Sequence, residues 1–483
     1  MKMLLSFLAY LLCFDASAQI KVNSGHRYLE DSNGKPFFWM GDTAWELLHR
    51  LNRDETELYL ETRRRQGFNV IQLVALAFAN EDDNRKPNRY GDFPFVNHDP
   101  SQVAITPGQT PANPNEYDYW DHVDFVMQTA ARKGMYIAFN PTWGDQVSHH
   151  WSADGVIFNE QNARTYGQFL GKRYASQWNI IWVLGGDCPP IYKTKDGKHY
   201  DDRPVWRALA AGIKTGEGSR RHLMTYHPKG ATSSSQLLHG ESWLDMNAFQ
   251  SGHGSRDVDA WNWVTRDLGR QPPKPTLDME PCYEDHPINP WDGKWTRQRG
   301  YFRAYDIRSR LYRSVFAGMC GFTYGHQQVW QFLDTTRFKP LSVGDTLIGW
   351  QRALHAEAAG EVQYLKRLML SRPYFSRIPD QQLIVSEKGH DYRDLIVATR
   401  DSMGSYAMIY LPQSRPVTID MSKLSGKEKR AWWYNPRTGH SQNASEKVVN
   451  DALTVTPPTL DNDQTPTDWV LVIDDAAKKY KRL

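Results

Sequence analysis

Two stretches of this chain run from an apolar segment straight into carboxylates. The first is Ile180-Ile181-Trp182-Val183-Leu184-Gly185-Gly186-Asp187. A continuous apolar run of this kind reads as a strand buried on both faces, and the two glycines let the backbone turn tightly before the acid. The second is Lys274-Pro275-Thr276-Leu277-Asp278-Met279-Glu280-Pro281-Cys282-Tyr283-Glu284-Asp285, in which four acids fall within eight residues. Clustered carboxylates repel one another, so such a cluster calls for a shared proton, a cation or a reaction. Glu280 reads as the last strand residue, and Glu284 lies four residues further into the loop. Either one is a candidate partner for Asp187. Asp278 or Asp285 is expected to be held by an Arg or Lys instead.

One carboxyl kept protonated and another kept ionised is the pair that glycosidic bond hydrolysis needs. Asp187 lies 93 residues before Glu280 and 97 before Glu284. That is about three strand–helix units, as expected for strands four and seven of one (β/α)8 barrel. Asp187 and either Glu280 or Glu284 are the expected catalytic pair. A pair about 5–5.5 Å apart would retain the anomeric configuration and a wider pair would invert it. Retention is the expectation adopted, because many barrel glycosidases with acids on strands four and seven are similar in retaining it. Polar and aromatic residues recur at the other strand ends and are candidates for sugar binding. They are Asp42 and Trp45, Gln72, Asn140, Trp143 and Asp145, His149, His227, Gln250 and His253, and Tyr324 and His326.

A barrel is what would bring these positions together. Strand-like runs are expected at 37–42, 68–76, 135–140, 179–184, 223–226, 246–250, 274–280 and 316–324. Helices are expected at 54–66 (capped by Asp54), 119–133, 162–174, 297–313 and 346–369. A hairpin at 26–38, turning at Ser32-Asn33-Gly34, precedes the first strand. The Asn-, Asp- and Pro-rich stretch at 80–116 is expected to form a long loop over one barrel face. Eight strand candidates in alternation with helices favour a TIM barrel over a doubly wound sheet. Residues 19–375 form this expected catalytic barrel. From 376 to 483 the pattern changes to short strands separated by turn residues, predicting a C-terminal all-β sandwich. The adjacent Trp432 and Trp433 suit either carbohydrate binding or bracing of the barrel, and bracing is the expectation adopted.

Composition excludes several classes. There are 58 basic and 55 acidic residues with no basic block, which gives nucleic acid nothing to bind. No GxGxxG or Walker-type loop marks a nucleotide site. No HExxH is present and His149-His150 are adjacent, so no metal or other cofactor is expected. A metal hydrolase and a non-catalytic carbohydrate-binding protein are the rival readings, and the clustered carboxylates weigh against the second. The 18 Trp make most sense if several line a groove. Residues 1–18 combine Lys2, an apolar run from Met3 to Phe14 and the small-x-small Ala16-Ser17-Ala18. This predicts a signal peptide cleaved after Ala18 and an exported product, periplasmic or extracellular, with no membrane anchor. Cys188 and Cys282, which flank the carboxylates, either pair or serve as buried fillers. Buried thiols are the expectation adopted, with Cys320 alongside.

The segments Phe38-Trp39-Met40-Gly41-Asp42-Thr43-Ala44-Trp45-Glu46, Gly67-Phe68-Asn69-Val70-Ile71-Gln72, Pro141-Thr142-Trp143-Gly144-Asp145, Trp182-Val183-Leu184-Gly185-Gly186-Asp187 and Gly321-Phe322-Thr323-Tyr324-Gly325 together resemble glycoside hydrolase family 140. The resemblance runs on into the C-terminal region at Trp432-Trp433-Tyr434-Asn435-Pro436-Arg437-Thr438-Gly439. It implies a barrel followed by a β-sandwich. It also implies activity on apiose-containing side chains of the plant pectin rhamnogalacturonan II, with Asp187 as acid/base and Glu280 or Glu284 as the second catalytic group.

Overall fold

The computed structural model describes residues 19–76, 87–150, 155–293, 296–341, 347–391, 393–448, 451–458 and 467–483. The expected signal peptide and the first part of the 80–116 loop lie outside them. All eight expected barrel strands form: β1 Trp39–Thr43, β2 Val70–Val74, β3 Tyr136–Asn140, β4 Ile180–Gly185, β5 Met224–His227, β6 Asn247–Gln250, β7 Thr276–Asp278 and β8 Gly321–Tyr324. Six pair in parallel in the order β5-β4-β3-β2-β1-β8, and β6 pairs in parallel with β7. A backbone hydrogen bond spans each of the two gaps. The Asp245 amide donates to Met224 O at 2.9 Å, and the Cys320 amide to Thr276 O at 3.2 Å. The expected hairpin is present, with Leu29–Glu30 paired antiparallel to Pro36–Phe37.

Six longer helices surround the strands: α1 Arg53–Arg65, α2 Tyr119–Arg132, α3 Glu160–Tyr174, α4 Arg203–Glu217, α5 Ala260–Leu268 and α6 Ala304–Phe316. Helix α1 is capped by Asn52, not by Asp54. Asn52 and Glu55 exchange hydrogen bonds as a capping box, which satisfies two otherwise orphaned amides. Helices α4 and α5 lie where no helix was anticipated. The expected helix at 346–369 is broken into Trp350–Ala353, Glu357–Glu361 and Gln363–Leu370. Ala356 is extended there, and the turn brings the Ala358 amide to Glu284 Oε1 at 3.1 Å. No helix of the described residues is long and apolar enough to cross a membrane.

The C-terminal region adds β9 Arg377–Pro379, β10 Val397–Asp401, β11 Tyr406–Leu411, β12 Val417–Asp420, β13 Lys429–Tyr434, β14 Ser441–Val448, β15 Ala452–Val455 and β16 Trp469–Asp475. They form an antiparallel sheet ordered β9-β10-β11-β16-β13-β14, with a β12-β15 ribbon beside it. One face buries Ile409, Leu471, Ile473, Trp433 and Trp469 with Val417 and Ile419 of the ribbon. The other face, carrying Met408, Tyr410, Tyr434 and Val472, joins the barrel's own apolar core. The Tyr312 and Tyr410 rings stack across this junction at 4.9 Å. Trp433 therefore packs in the sandwich's own core, on the face away from the barrel.

A buried ion cluster ties the two regions. Arg308 on α6 donates to both oxygens of Asp468 at 3.1 and 3.0 Å and also bonds Glu361, with its side chain only 3% exposed. Removing one partner of such a cluster strands buried charge. Arg308→Met is therefore expected to cost about 3–5 kcal/mol of stability by urea unfolding. A loss below about 1 kcal/mol would mean that solvent screens the cluster as it does at a surface.

Candidate active site

The end of β4 is built for a close approach. Gly185 and Gly186 have φ of 80° and 134°, and Asp187 itself has φ of 49°. A Cβ on Gly185 would lie 2.4 Å from His227 O, and one on Gly186 would lie 2.7 Å from the Trp143 ring. Only glycine meets both demands. A non-glycine residue held in the left-handed region stores strain, which persists where the surroundings over-determine it. Here the Asp187 amide points at His227 Nδ1 (3.4 Å), and Asp187 Oδ1 accepts from the Gly230 amide at 3.1 Å. Gln250 at the end of β6 adds a side-chain hydrogen bond to the same carboxyl.

Glu280, just past β7, is gripped by two imidazoles. His253 Nε2 lies 3.0 Å from Oε1, and His227 Nε2 lies 3.1 Å from Oε2, slightly off the ideal hydrogen-bond direction. The Nδ1 of each ring faces a backbone amide, that of Asp187 for His227 and that of Tyr283 (3.2 Å) for His253. An amide only donates, so each Nδ1 accepts and each Nε2 carries the proton toward Glu280. The Tyr283 hydroxyl also faces Glu280 and receives a hydrogen bond from Trp45 Nε1 at 3.2 Å.

The electrostatics of the two acids diverge. Burial pushes Asp187 up, and the Glu280 charge adds to it, giving about 7. Burial also pushes Glu280 up, but the His227 and His253 contacts more than offset it and hold it at about 2. His227 is the shared wall, touching the backbone of one acid and the carboxylate of the other. One carboxyl raised and one lowered by their surroundings is the arrangement that an acid/base pair requires.

Several sequence-derived candidates converge on this cluster. Trp45 and Trp143 cross at 4.8 Å, and each lies 5.4 Å from the His227 ring. Asn140 Nδ2 donates to Gly185 O at 3.0 Å, bracing the turn that carries Asp187. Gln72 Nε2 crosses the barrel to Met279 O at 3.1 Å, beside Glu280. Asp145 is buried in the turn after Trp143, near Cys188.

Others go elsewhere. Asp42 turns into the helical layer, where its Oδ2 meets Arg63 Nε at 2.7 Å and the Tyr59 hydroxyl. Strand alternation decides this, because the inward neighbour is Thr43. Glu284 accepts from the Tyr324 hydroxyl at 2.7 Å and from the Ala358 amide at 3.1 Å. His326 is fully buried, 3.6 Å from Asp285, and Asp285 is the acid of the cluster that pairs with an arginine, Arg303. His149 leans on the Tyr200 ring, and its amide donates to the Tyr192 hydroxyl at 2.7 Å. Cys188, Cys282 and Cys320 are buried free thiols, as expected.

Tyr283, Gly230 and His286 belong to the site and were not singled out from sequence. Tyr283 sits inside the acid-rich stretch, so its aromatic ring was a usable signal. Gly230 acts through its amide, which leaves no trace in residue type.

Residues 23–376 match a family model described as an apiosidase-like catalytic domain, and residues 378–474 match one described as a putative collagen-binding domain of a collagenase. No curated protein matches the chain. A solved glycoside hydrolase is 35% identical, with 96% of this chain and 98% of that one covered and a TM-score of 0.80. A glycoside hydrolase family 5 structure from Bacteroides vulgatus ATCC 8482 is 33% identical, covering 96% and 95% of the two chains, also at 0.80. A second structure from that organism, a putative glycoside hydrolase, shares the fold at 15% identity over 95% and 83%, with a TM-score of 0.62.

Proposed function

Because this chain belongs to the apiosidase-like family of glycoside hydrolases, we propose that it cleaves apiosyl linkages in the side chains of rhamnogalacturonan II, with Asp187 and Glu280 as the catalytic pair. The observation that carries the assignment is the opposed poise of the two acids around His227.

In the first step protonated Asp187 gives its proton to the glycosidic oxygen as the bond to the anomeric carbon breaks. Ionised Glu280 attacks that carbon and forms a covalent glycosyl-enzyme. Asp187, now a carboxylate, then takes a proton from water, which attacks the same carbon and releases Glu280. Two displacements retain the configuration. The His227 and His253 N–H groups and the Tyr283 hydroxyl keep Glu280 ionised and aimed. The Trp45–Trp143 pair and His227 wall the site and exclude water from the buried acids, which strengthens each charge interaction. We place the enzyme outside the cytoplasm on the pattern of residues 1–18, where polymeric pectin is met.

Incubation with purified rhamnogalacturonan II is expected to release free apiose, identified by chromatography, with the retained anomer first in the proton NMR spectrum. Release of another furanose would replace the substrate, and an inverted first product would exclude the covalent route.

A further inference from the structure

Trp291 breaks the rule that a large ring seeks cover. It is 65% exposed, whereas the rings beside it, His253 and His286, are buried. It is not loosely placed. It lies in a single turn, Pro290–Asp292, flanked by Asn289 and Gly293 with φ of 46° and 68°. The Asn289 amide donates to His253 O at 2.9 Å. Arg299 bonds both oxygens of Asp292 at 2.8 Å and Asn289 O at 3.0 Å. The left-handed Asn289 and the clamping Arg299 fix a large apolar ring in water, and a fixed exposed apolar surface marks an interaction site.

The position of the ring names that partner. Trp291 rests 5.4 Å from the His286 ring and 6.0 Å from the His253 ring. His286 stacks on His253 at 4.1 Å with 21° between planes, and His253 contacts Glu280 at 3.0 Å. A continuous line of rings thus runs from the proposed nucleophile to the exposed indole. A sugar ring has an apolar face of C–H groups, and an exposed aromatic face suits it while hydroxyls reach the polar surroundings.

We propose that Trp291 is a sugar-stacking platform that binds a residue of the polysaccharide beyond the one being cleaved, so that the enzyme recognises more of its substrate than the apiosyl unit. The proposal rests on the reading of Asp187 and Glu280 as a glycosidase pair. Its energy acts on ground state and transition state alike, so it lowers KM for long substrates and leaves kcat unchanged.

The test compares Trp291→Ala and Trp291→Tyr with the parent on rhamnogalacturonan II and on 4-nitrophenyl apioside. Trp291→Ala is expected to raise KM for the polysaccharide about tenfold, the size of an interfacial aromatic anchor. Its kcat stays unchanged, as do both constants on the aryl glycoside, and Trp291→Tyr restores most of the affinity. Equal constants for parent and Trp291→Ala on both substrates, or equal losses on both, would overturn the platform. A parent that hydrolyses neither substrate would overturn the apiosyl reading instead. The platform is then judged by quenching of tryptophan fluorescence on titration with rhamnogalacturonan II. A quench that is lost in Trp291→Ala supports it, and an unchanged or absent quench refutes it.

Discussion

Glu280→Gln is expected to lower kcat/KM by about 10⁴-fold or more, because it removes the group proposed to form the covalent intermediate. The change keeps the side chain's shape and both imidazole neighbours, so the fold survives. Glu284→Gln is the informative companion. Glu284 accepts from the Tyr324 hydroxyl and the Ala358 amide. An amide nitrogen in place of one oxygen faces a donor, leaving a buried group unsatisfied at a cost of about 1–3 kcal/mol. Its effect should appear in urea unfolding, with kcat/KM on folded protein within a few fold of the parent. Steady-state kinetics on an apiosyl substrate checks both. If Glu284→Gln were the inactive variant and Glu280→Gln the active one, the catalytic assignment would be reversed.

Asp187→Asn is expected to cost about 10²–10⁴-fold in kcat/KM, the usual worth of a placed general acid. The pH profile makes the test sharper. Parent activity needs Glu280 ionised and Asp187 protonated, held at about 2 and about 7 respectively. The rate should stay level through mild acid and fall as pH rises through about 7. The limbs belong to the interacting pair as a unit. In Asp187→Asn the alkaline limb should vanish, leaving a low, flat rate. An unchanged alkaline limb would assign the titrating acid elsewhere.

The same substitution should raise stability while it lowers activity. A carboxyl whose folded value is raised contributes stability that is present below its unfolded value and lost as pH rises through the folded one. For Asp187 that loss is complete above about 7, where its charge sits beside Glu280. Asp187→Asn should therefore melt higher than the parent at pH 8, with the gap closing as pH falls toward about 4, the unfolded carboxylate range. Glu280 has the reverse sign. Its depressed value adds stability above the unfolded range, which is lost as pH falls toward about 2. A variant less stable than the parent at pH 8 would mean that Asp187 is held ionised, contrary to its proposed role.

The strands were the most legible part of the chain. The β2, β3 and β4 strands were marked by mainly apolar runs, as burial on both faces favours, whereas β5, β6 and β7 carry buried polar residues such as His227, Asn247 and Asp278 and were marked more by their place in the strand–helix rhythm. Helices were less so. Helix α4, Arg203–Glu217, follows a short hairpin, and its amphipathic pattern is interrupted by Gly212 and Gly216, which let it lie against α3. Strand β14, Ser441–Val448, is polar along its length and pairs only at a sheet edge, where no apolar alternation is required. The Asp187 end of the site could be placed from sequence because a strand end in a barrel has one outlook.

What sequence by itself determined was thus the architecture and the acid-rich strand ends, with Asp187 as a candidate. It left Glu280 and Glu284 level, and the preference proposed here for Glu280 comes from the tertiary structure. The two are chemically identical and four residues apart, and only their neighbours differ. His227 and His253 arrive at Glu280 from β5 and the loop after β6, while Tyr324 and Ala358 close over Glu284. Asp42 was decided in the same way, since a one-residue step along a strand turns a side chain from the barrel interior to the helical layer. A carboxylate's role is set by the charge, donors and water around it, and those come from residues tens of positions away in the chain.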